Sequence, residues 1–296
     1  MSPDEASEER SSSTAGFVTF FRACSNKERD DRFRGPDYLA QMFHSGGEKY
    51  LLRLSFLLLP LMKRMVPGTY EWVVARTFFF DEVFEQALDE KLAQIVIMGA
   101  GFDTRAYRFQ DKSDDTVIFE LDLPEPQGIK IKRLNSERIA IPENVIYVPI
   151  DFTKDNIFTR LEEAGYSRSE RSLFLWEGVT EYLTDEAVDS TMKSIRDNSP
   201  PGSLLAFSYI YRSVVEGTRE YHGTKQIVKT VAKTGEPYRY GIPEGEIETF
   251  LSERGYWLLR HHTAEELERK YLMDEEGGLY GRICGHNCVA LSKVAP

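Results

Sequence analysis

The chain has 296 residues, 41% of them apolar and 29% charged, with a formal net charge of −11. That balance excludes wholesale disorder, and a chain this long buries a core without disulfide or metal staples. The acidic excess also argues against a general nucleic-acid binder, which needs basic faces against phosphate.

Residues 1–12 are polar and acidic, with Asp4, Glu5, Glu8 and Glu9. They lack the basic start and apolar stretch of a secretory signal and read as a disordered arm. Residues 13–92 form a helical extension. Within it, Leu51–Val66 is apolar but interrupted by Arg53, Pro60, Lys63 and Arg64. Its uncharged part is shorter than the ~20 residues of a spanning helix. A buried helix is expected there, with a membrane-surface or lid helix as the alternative. Further on, Phe80, Val83, Phe84, Ala87 and Leu88 fall on one helical face.

From residue 93 onward, short β-rich runs alternate with helical patterns. The runs are Gln94–Met98, Thr116–Leu121, Val145–Val148, Ser172–Trp176 and Leu204–Tyr209. Helices are predicted at Asp103–Phe109, Pro124–Asn135, Ile157–Ala164 and Asp185–Asp197. The last has Thr184 as N-cap, with Leu183 and Val188 at the hydrophobic-staple positions. Such alternation implies an α/β fold, a mostly parallel sheet with helices on both faces. Residues 210–245 break the rhythm and read as an inserted lid. A helix at Glu244–Arg254, a strand at Tyr256–Arg260, a capping box from Thr263 to Glu266 and a closing strand at His286–Lys293 complete the core, 93–296.

The most informative stretch is Gly99-Ala100-Gly101-Phe102-Asp103-Thr104-Arg105, directly after the first strand. Small residues there let the backbone approach a ligand, and a helix start adds free N–H groups. The third glycine of a dinucleotide fingerprint is absent, since Thr104 stands in its place, which argues against an NAD-linked oxidoreductase. The next strand ends in Glu120-Leu121-Asp122. Either carboxylate can accept hydrogen bonds from ribose hydroxyls, and spacing does not choose between them.

These segments, with Trp176-Glu177-Gly178-Val179-Thr180-Glu181-Tyr182-Leu183-Thr184, resemble the leucine carboxyl methyltransferase superfamily. The likeness is greatest to its bacterial and archaeal S-adenosylmethionine (SAM)-dependent O-methyltransferases linked to polyketide-type metabolism. Ala75-Arg76-Thr77 with Asp81, Phe21-Arg22-Ala23 and Gly241-Ile242-Pro243 extend the resemblance over most of the chain. It implies a class I SAM-methyltransferase fold, Rossmann-like, with SAM as cofactor. It also implies roles. Arg76 would pair with the SAM carboxylate, and Gly99 and Gly101 would lie under its methionine and ribose. Asp122 would take the ribose hydroxyls, Asp151 and Phe152 the adenine, and Glu177 the ammonium.

Tyr182 is the candidate facing the acceptor, with a core tyrosine as the alternative, and Glu181 beside it is a possible base. The expected reaction is methyl transfer to a carboxylate or hydroxyl oxygen of a small molecule. Protein C-terminal carboxyl methylation and a non-catalytic SAM-binding relative are the alternatives. Tyr209, Tyr211, Tyr221, Tyr238 and Tyr240 are expected to pack the lid rather than line an aromatic pocket, and His222 and Arg212 are weaker acceptor-site candidates. Cys284, His286 and Cys288 alternate and would share one strand face, expected to be buried; no metal site is expected. Three cysteines (with Cys24) are too few for a disulfide framework, so a reducing, cytoplasmic setting is expected. No nucleic-acid or membrane partner is expected, and the oligomeric state stays open.

Overall fold

The computed structural model describes residues 16–44, 46–152 and 154–296; the arm expected at 1–12 lies outside them. Its centre is strand β1 (Gln94–Met98), buried along its whole length. Alternation sends Ile95 and Ile97 to one face of the sheet and Val96 and Met98 to the other. Each pair joins a separate apolar core, so both faces need a cover.

Strands β2 (Val117–Asp122), β3 (Val145–Pro149), β4 (Ser172–Trp176) and β5 (Leu204–Ile210) follow where the alternation predicts them. With β6 (Tyr256–Thr263) and β7 (Asn287–Val294) they form one sheet in the order β3-β2-β1-β4-β5-β7-β6. All neighbours are parallel except β7, which runs antiparallel to β5 and β6. The strand order reverses between β1 and β4, which places the ligand crevice outside their carboxyl ends.

Four helices precede the sheet: residues 16–25 (α1), Gly46–Arg53 (α2), Ser55–Met65 (α3) and Thr69–Asp89 (α4). The predicted face of α4 is fully buried, with Phe80, Val83, Phe84, Ala87 and Leu88 packed into the core of Ile95, Ile97, Leu173 and Leu175. Between strands lie α5 (Arg105–Arg108), α6 (Pro124–Ser136), α7 (Ile157–Glu163) and α8 (Asp185–Asp197). Thr184 caps α8 by accepting from Ala187 N at 3.2 Å, and Val188, Met192 and Ile195 are its buried stripe. After β5 come α9 (Arg212–Val215), α10 (Thr224–Thr234), α11 (Ile247–Ser252) and, past β6, α12 (Ala264–Tyr271). The capping box forms: Thr263 Oγ1 accepts from Glu266 N, and Glu266 Oε2 accepts from Thr263 N.

Two expectations are corrected. Leu51–Val66 is not a buried helix. It breaks into the end of α2 and α3, and α3 buries only Ser55 and Leu59. The break at Leu54 turns most of the leucine-rich face away from the core. The second correction concerns Cys284, His286 and Cys288. Only Cys288 lies in β7, because Cys284 and His286 belong to the loop before it. All three are buried, and no metal-binding cluster occurs among the described residues.

That loop is a joint of three chain segments. Cys284 N donates to Gly68 O (3.1 Å) and Gly285 N to His222 O (3.0 Å). The Cys284 thiol donates to Pro67 O, and His286 Nδ1 lies 3.0 Å from Thr224 Oγ1. The approach requires glycine. Gly68 and Gly223 have φ near +79° and +75°, and a Cβ on Gly223 would lie 2.1 Å from Pro67 O.

Candidate active site at the strand ends

The carboxyl ends of β1, β2 and β4, with α1 and α4 above them, enclose a cavity of about 340 Å3. That volume lies within the usual range for small-molecule sites. Of the residues singled out in the sequence, Arg76, Gly99, Gly101, Asp122, Phe152, Glu177 and Tyr182 line it. Asp151 does not. Its carboxylate lies 2.7 Å from Lys154 Nζ, at the start of the loop after β3.

The glycine loop leaves β1 with φ of +68° at Gly99 and +44° at Gly101, in the left-handed region that suits glycine. A side chain at Gly99 would press on Val179 at 3.1 Å. The helix after the loop is shorter than the predicted Asp103–Phe109, because Asp103 and Thr104 are engaged elsewhere. Asp103 Oδ1 accepts from Arg105 N at 2.7 Å, and Thr104 Oγ1 donates to Asp37 Oδ1 at 2.8 Å.

The structure separates the two acids of β2. Glu120 is buried with Lys130, whose Nζ lies 2.6 Å from Oε2, and Tyr107 OH donates to its other oxygen. Burial pushes the Glu120 carboxyl up, and Lys130 opposes that. Asp122, the last residue of β2, lines the cavity. Its two oxygens accept from Gly101 N and, at 2.7 Å, from Leu123 N. Burial pushes its carboxyl up, against those two N–H groups. Each oxygen keeps a second lone pair for a ligand hydroxyl.

Glu177 sits just past β4 between two arginines. Arg76 Nε is 2.9 Å from Oε1, and Arg105 Nη1 is 2.9 Å from Oε2. Arg105 is almost wholly buried and also pairs with Asp81 Oδ1 at 2.8 Å and with Asp103. Arg108 Nη1 holds Asp81 Oδ2 at 2.6 Å. Burial disfavours charge on Asp103, yet Arg105, with Lys130, brings its carboxyl down to about 2. Asp103 therefore stays ionised, and Arg76 and Arg105 together hold Glu177 in one orientation.

Arg76 is buried, and its Nε–H makes no hydrogen bond despite its closeness to Glu177. Its guanidinium lies across Gly178, where a Cβ would meet Nη1 at 2.9 Å. Gly178 has φ near +69°. A glycine at this turn therefore leaves the space that the arginine fills.

Sequence reasoning gave Arg105 and Gly178 no role. Arg105 stood in the glycine motif, but its tie to Glu177 depends on β1 lying beside β4. Arg22, Glu181 and Glu236 also line the cavity. Arg22 is committed to Asp37 Oδ2 (3.2 Å) and Phe102 O (2.8 Å). Glu181 is buried, and burial pushes its carboxyl above the ordinary range. Tyr182 is pushed strongly upward by burial, so its phenol stays protonated. Its ring centre is 5.7 Å from that of Tyr238. None of Tyr209, Tyr211, Tyr221, Tyr238 and Tyr240 lines the cavity, and Tyr209 belongs to β5. Burial pushes the thiols of Cys24, Cys284 and Cys288 up to about 12, which leaves them inert.

The donor set fits SAM. A buried cation with an unused N–H suits its carboxylate, Glu177 its ammonium, Asp122 its diol, and the glycine backbone admits it closely.

Comparison with known proteins agrees. The family model described as leucine carboxyl methyltransferase matches residues 15–196. YktD of Bacillus subtilis, provisionally named a SAM-dependent methyltransferase, is 27% identical over 206 residues, 70% of this chain and 67% of its own. A similarly named protein of Mycobacterium sp. strain KMS is 32% identical over 214 residues, 67% of this chain and 65% of its own. The chain thus spans about two thirds of the length of these relatives. In fold it is similar to a DUF574 family protein from Streptomyces avermitilis, with a TM-score of 0.62 at 14% identity, covering 93% of this chain and 96% of that one. A Thermobifida fusca structure with a provisional methyltransferase title gives 0.59 at 12% identity, covering 87% and 95%. With the matched motifs converging on one strand-end cavity, the chain belongs to the leucine carboxyl methyltransferase family of SAM-dependent methyltransferases.

Proposed function

We propose that the chain transfers the methyl group of SAM to a hydroxyl oxygen of a small-molecule acceptor. The observation that carries this is the charge of the cavity wall that SAM would leave exposed. Glu181, Glu236 and Tyr182 line it. Of the cavity's two arginines, Arg22 is held by Asp37, and Arg76 would be taken by the carboxylate of SAM. A carboxylate acceptor would meet like charge there, whereas a neutral hydroxyl would meet acceptors for its proton.

Bound SAM would supply a methyl group already activated on a sulfonium. Arg76, Glu177 and Asp122 would hold the cofactor, with Gly99 and Gly101 beneath it and Phe152 at the rim. Alignment and exclusion of water are then the protein's main contributions. Glu181 would hold the proton released by the acceptor hydroxyl, and Tyr182 would position that hydroxyl.

The test is a methyl-transfer assay with labelled SAM and matched acceptors that differ only in bearing a phenol, an alcohol or a carboxylate. Ether products are expected, and ester formation alone would overturn the hydroxyl reading in favour of carboxyl methylation. Glu181 has a raised pKa, so its basic form appears only as pH climbs past the ordinary glutamate value of about 4.3. Activity should rise with pH along that displaced limb. Glu181→Gln should remove the limb and lower kcat by roughly 100-fold, the usual scale of general-base catalysis.

A further inference from the structure

The helices α2 and α3 present large apolar side chains to solvent. Phe56, Leu57, Leu61 and Met65 are 61%, 62%, 57% and 65% exposed, and Tyr50 and Leu51 continue the face on α2. Leu57, Leu61 and Met65 recur every four residues, so they form one stripe along α3 with Phe56 beside it. Scattered apolar residues on a surface are ordinary, but a contiguous stripe of this kind marks an interaction site.

Charge identifies what covers it. Residues 46–66 carry Lys49, Arg53, Lys63 and Arg64 against Glu48, a net +3 in a chain whose total is −11. Lys49 and Lys63 are paired with Glu137 and Glu71, while Arg53 and Arg64 are exposed beside the stripe. Against α2 lies a second cavity of about 390 Å3. Lys27, Lys49 and Arg53 line it, and Glu137 is the one acid among its lining residues. Apolar bulk, flanking arginines and a cationic hollow are the attributes of a helix that lies in a lipid interface among anionic headgroups. A two-fold contact between copies would instead bring the same +3 segment against itself.

We propose that α2 and α3 dock this protein on an anionic phospholipid surface. Phe56, Leu57, Leu61 and Met65 enter the interface, and the hollow of Lys27 and Arg53 faces the phosphate headgroups. This is peripheral attachment, and among the described residues no helix is long and apolar enough to cross a membrane. The inference is independent of the acceptor chemistry.

The experiment is co-sedimentation of the full chain with vesicles of phosphatidylcholine alone and of an equal mixture with phosphatidylglycerol. The protein is expected to pellet with the mixed vesicles and not with phosphatidylcholine, and to be released by high salt. Leu57→Glu with Leu61→Glu, and separately Arg53→Glu with Arg64→Glu, should each weaken the association by about tenfold or more while SAM affinity is unchanged. Failure to pellet with mixed vesicles would overturn the proposal, as would equal pelleting of the variants. So would a dimer in sedimentation velocity that Leu57→Glu with Leu61→Glu dissociates, since a second copy would then cover the face.

Discussion

Helices α3 and α4 follow one another and have opposite surroundings. In α3, seven of eleven residues are Phe, Leu or Met, yet only Ser55 and Leu59 are buried. In α4, sixteen of twenty-one residues are buried, and they include Glu71, Arg76 and Asp81. Apolar content therefore does not decide which helix enters the core. Position does: α4 lies across the sheet, and its charges are admitted because each meets a partner, Glu71 in Lys63 of α3 and the other two at the strand ends. The pairing of Asp81 with Arg105 and Arg108, and of Arg76 with Glu177, converts a helix surface into one wall of the strand-end cavity.

The sharpest way to break the comparison is to remove the cation at the centre of that wall. Arg105→Ala should cost about 3–5 kcal/mol in urea unfolding, because Asp81, Asp103 and Glu177 lose their common partner. A loss under about 1 kcal/mol would mean that water reaches those acids and that the wall is less dry than its burial implies. Phe84→Ala, in the apolar part of α4, should cost a similar ~3–5 kcal/mol by leaving a cavity. Next comes affinity. Arg76→Ala should weaken SAM binding about 100-fold in calorimetry, and Arg76→Lys should recover only part of it, lacking the planar fork. Unchanged affinity would remove Arg76 from the cofactor site.

The acids of β2 sharpen the same contrast between holding the fold and holding a ligand. Asp122→Ala should weaken SAM binding about tenfold with little change in stability. Glu120→Gln should do the reverse, since Lys130 would remain buried without its counter-charge. An inverted result would transfer the ribose role to Glu120. Smallest of all is Phe56→Ala on α3, expected within about 0.5 kcal/mol of the parent in urea unfolding. A loss like that of Phe84→Ala would show that α3 is packed in solution and would end the comparison.

The sheet was legible because its strands obey a strong constraint. Ile95-Val96-Ile97-Met98 is apolar at every position because helices cover both faces, and few other arrangements tolerate that run. Glycines and acids placed at strand ends then marked the crevice. Asp122 could not be separated from Glu120 by spacing, since both point the same way; Lys130, one helix later, is what claims Glu120. The link from Arg105 to Glu177 was hidden because they are 72 positions apart and meet only through strand order. The burial of α3 was misjudged for a different reason. An apolar stretch too short to span a membrane reads as a buried helix, but apolar content does not say whether a face turns toward its own chain.

The joint at Gly68, Gly223 and Cys284 bears on how the molecule comes apart. Residues before β1 and residues after β5 each hydrogen-bond there to the approach to β7, with no room for even a methyl group on Gly68 or Gly223. The boundaries near 92 and at 210–245 therefore divide the sequence into stretches that share their melting. Heating should release them in a single calorimetric transition whose van't Hoff and measured enthalpies agree. A fragment cut at residue 92 would lose one side of that joint and the helix that closes one face of the sheet, and with them the means to fold alone.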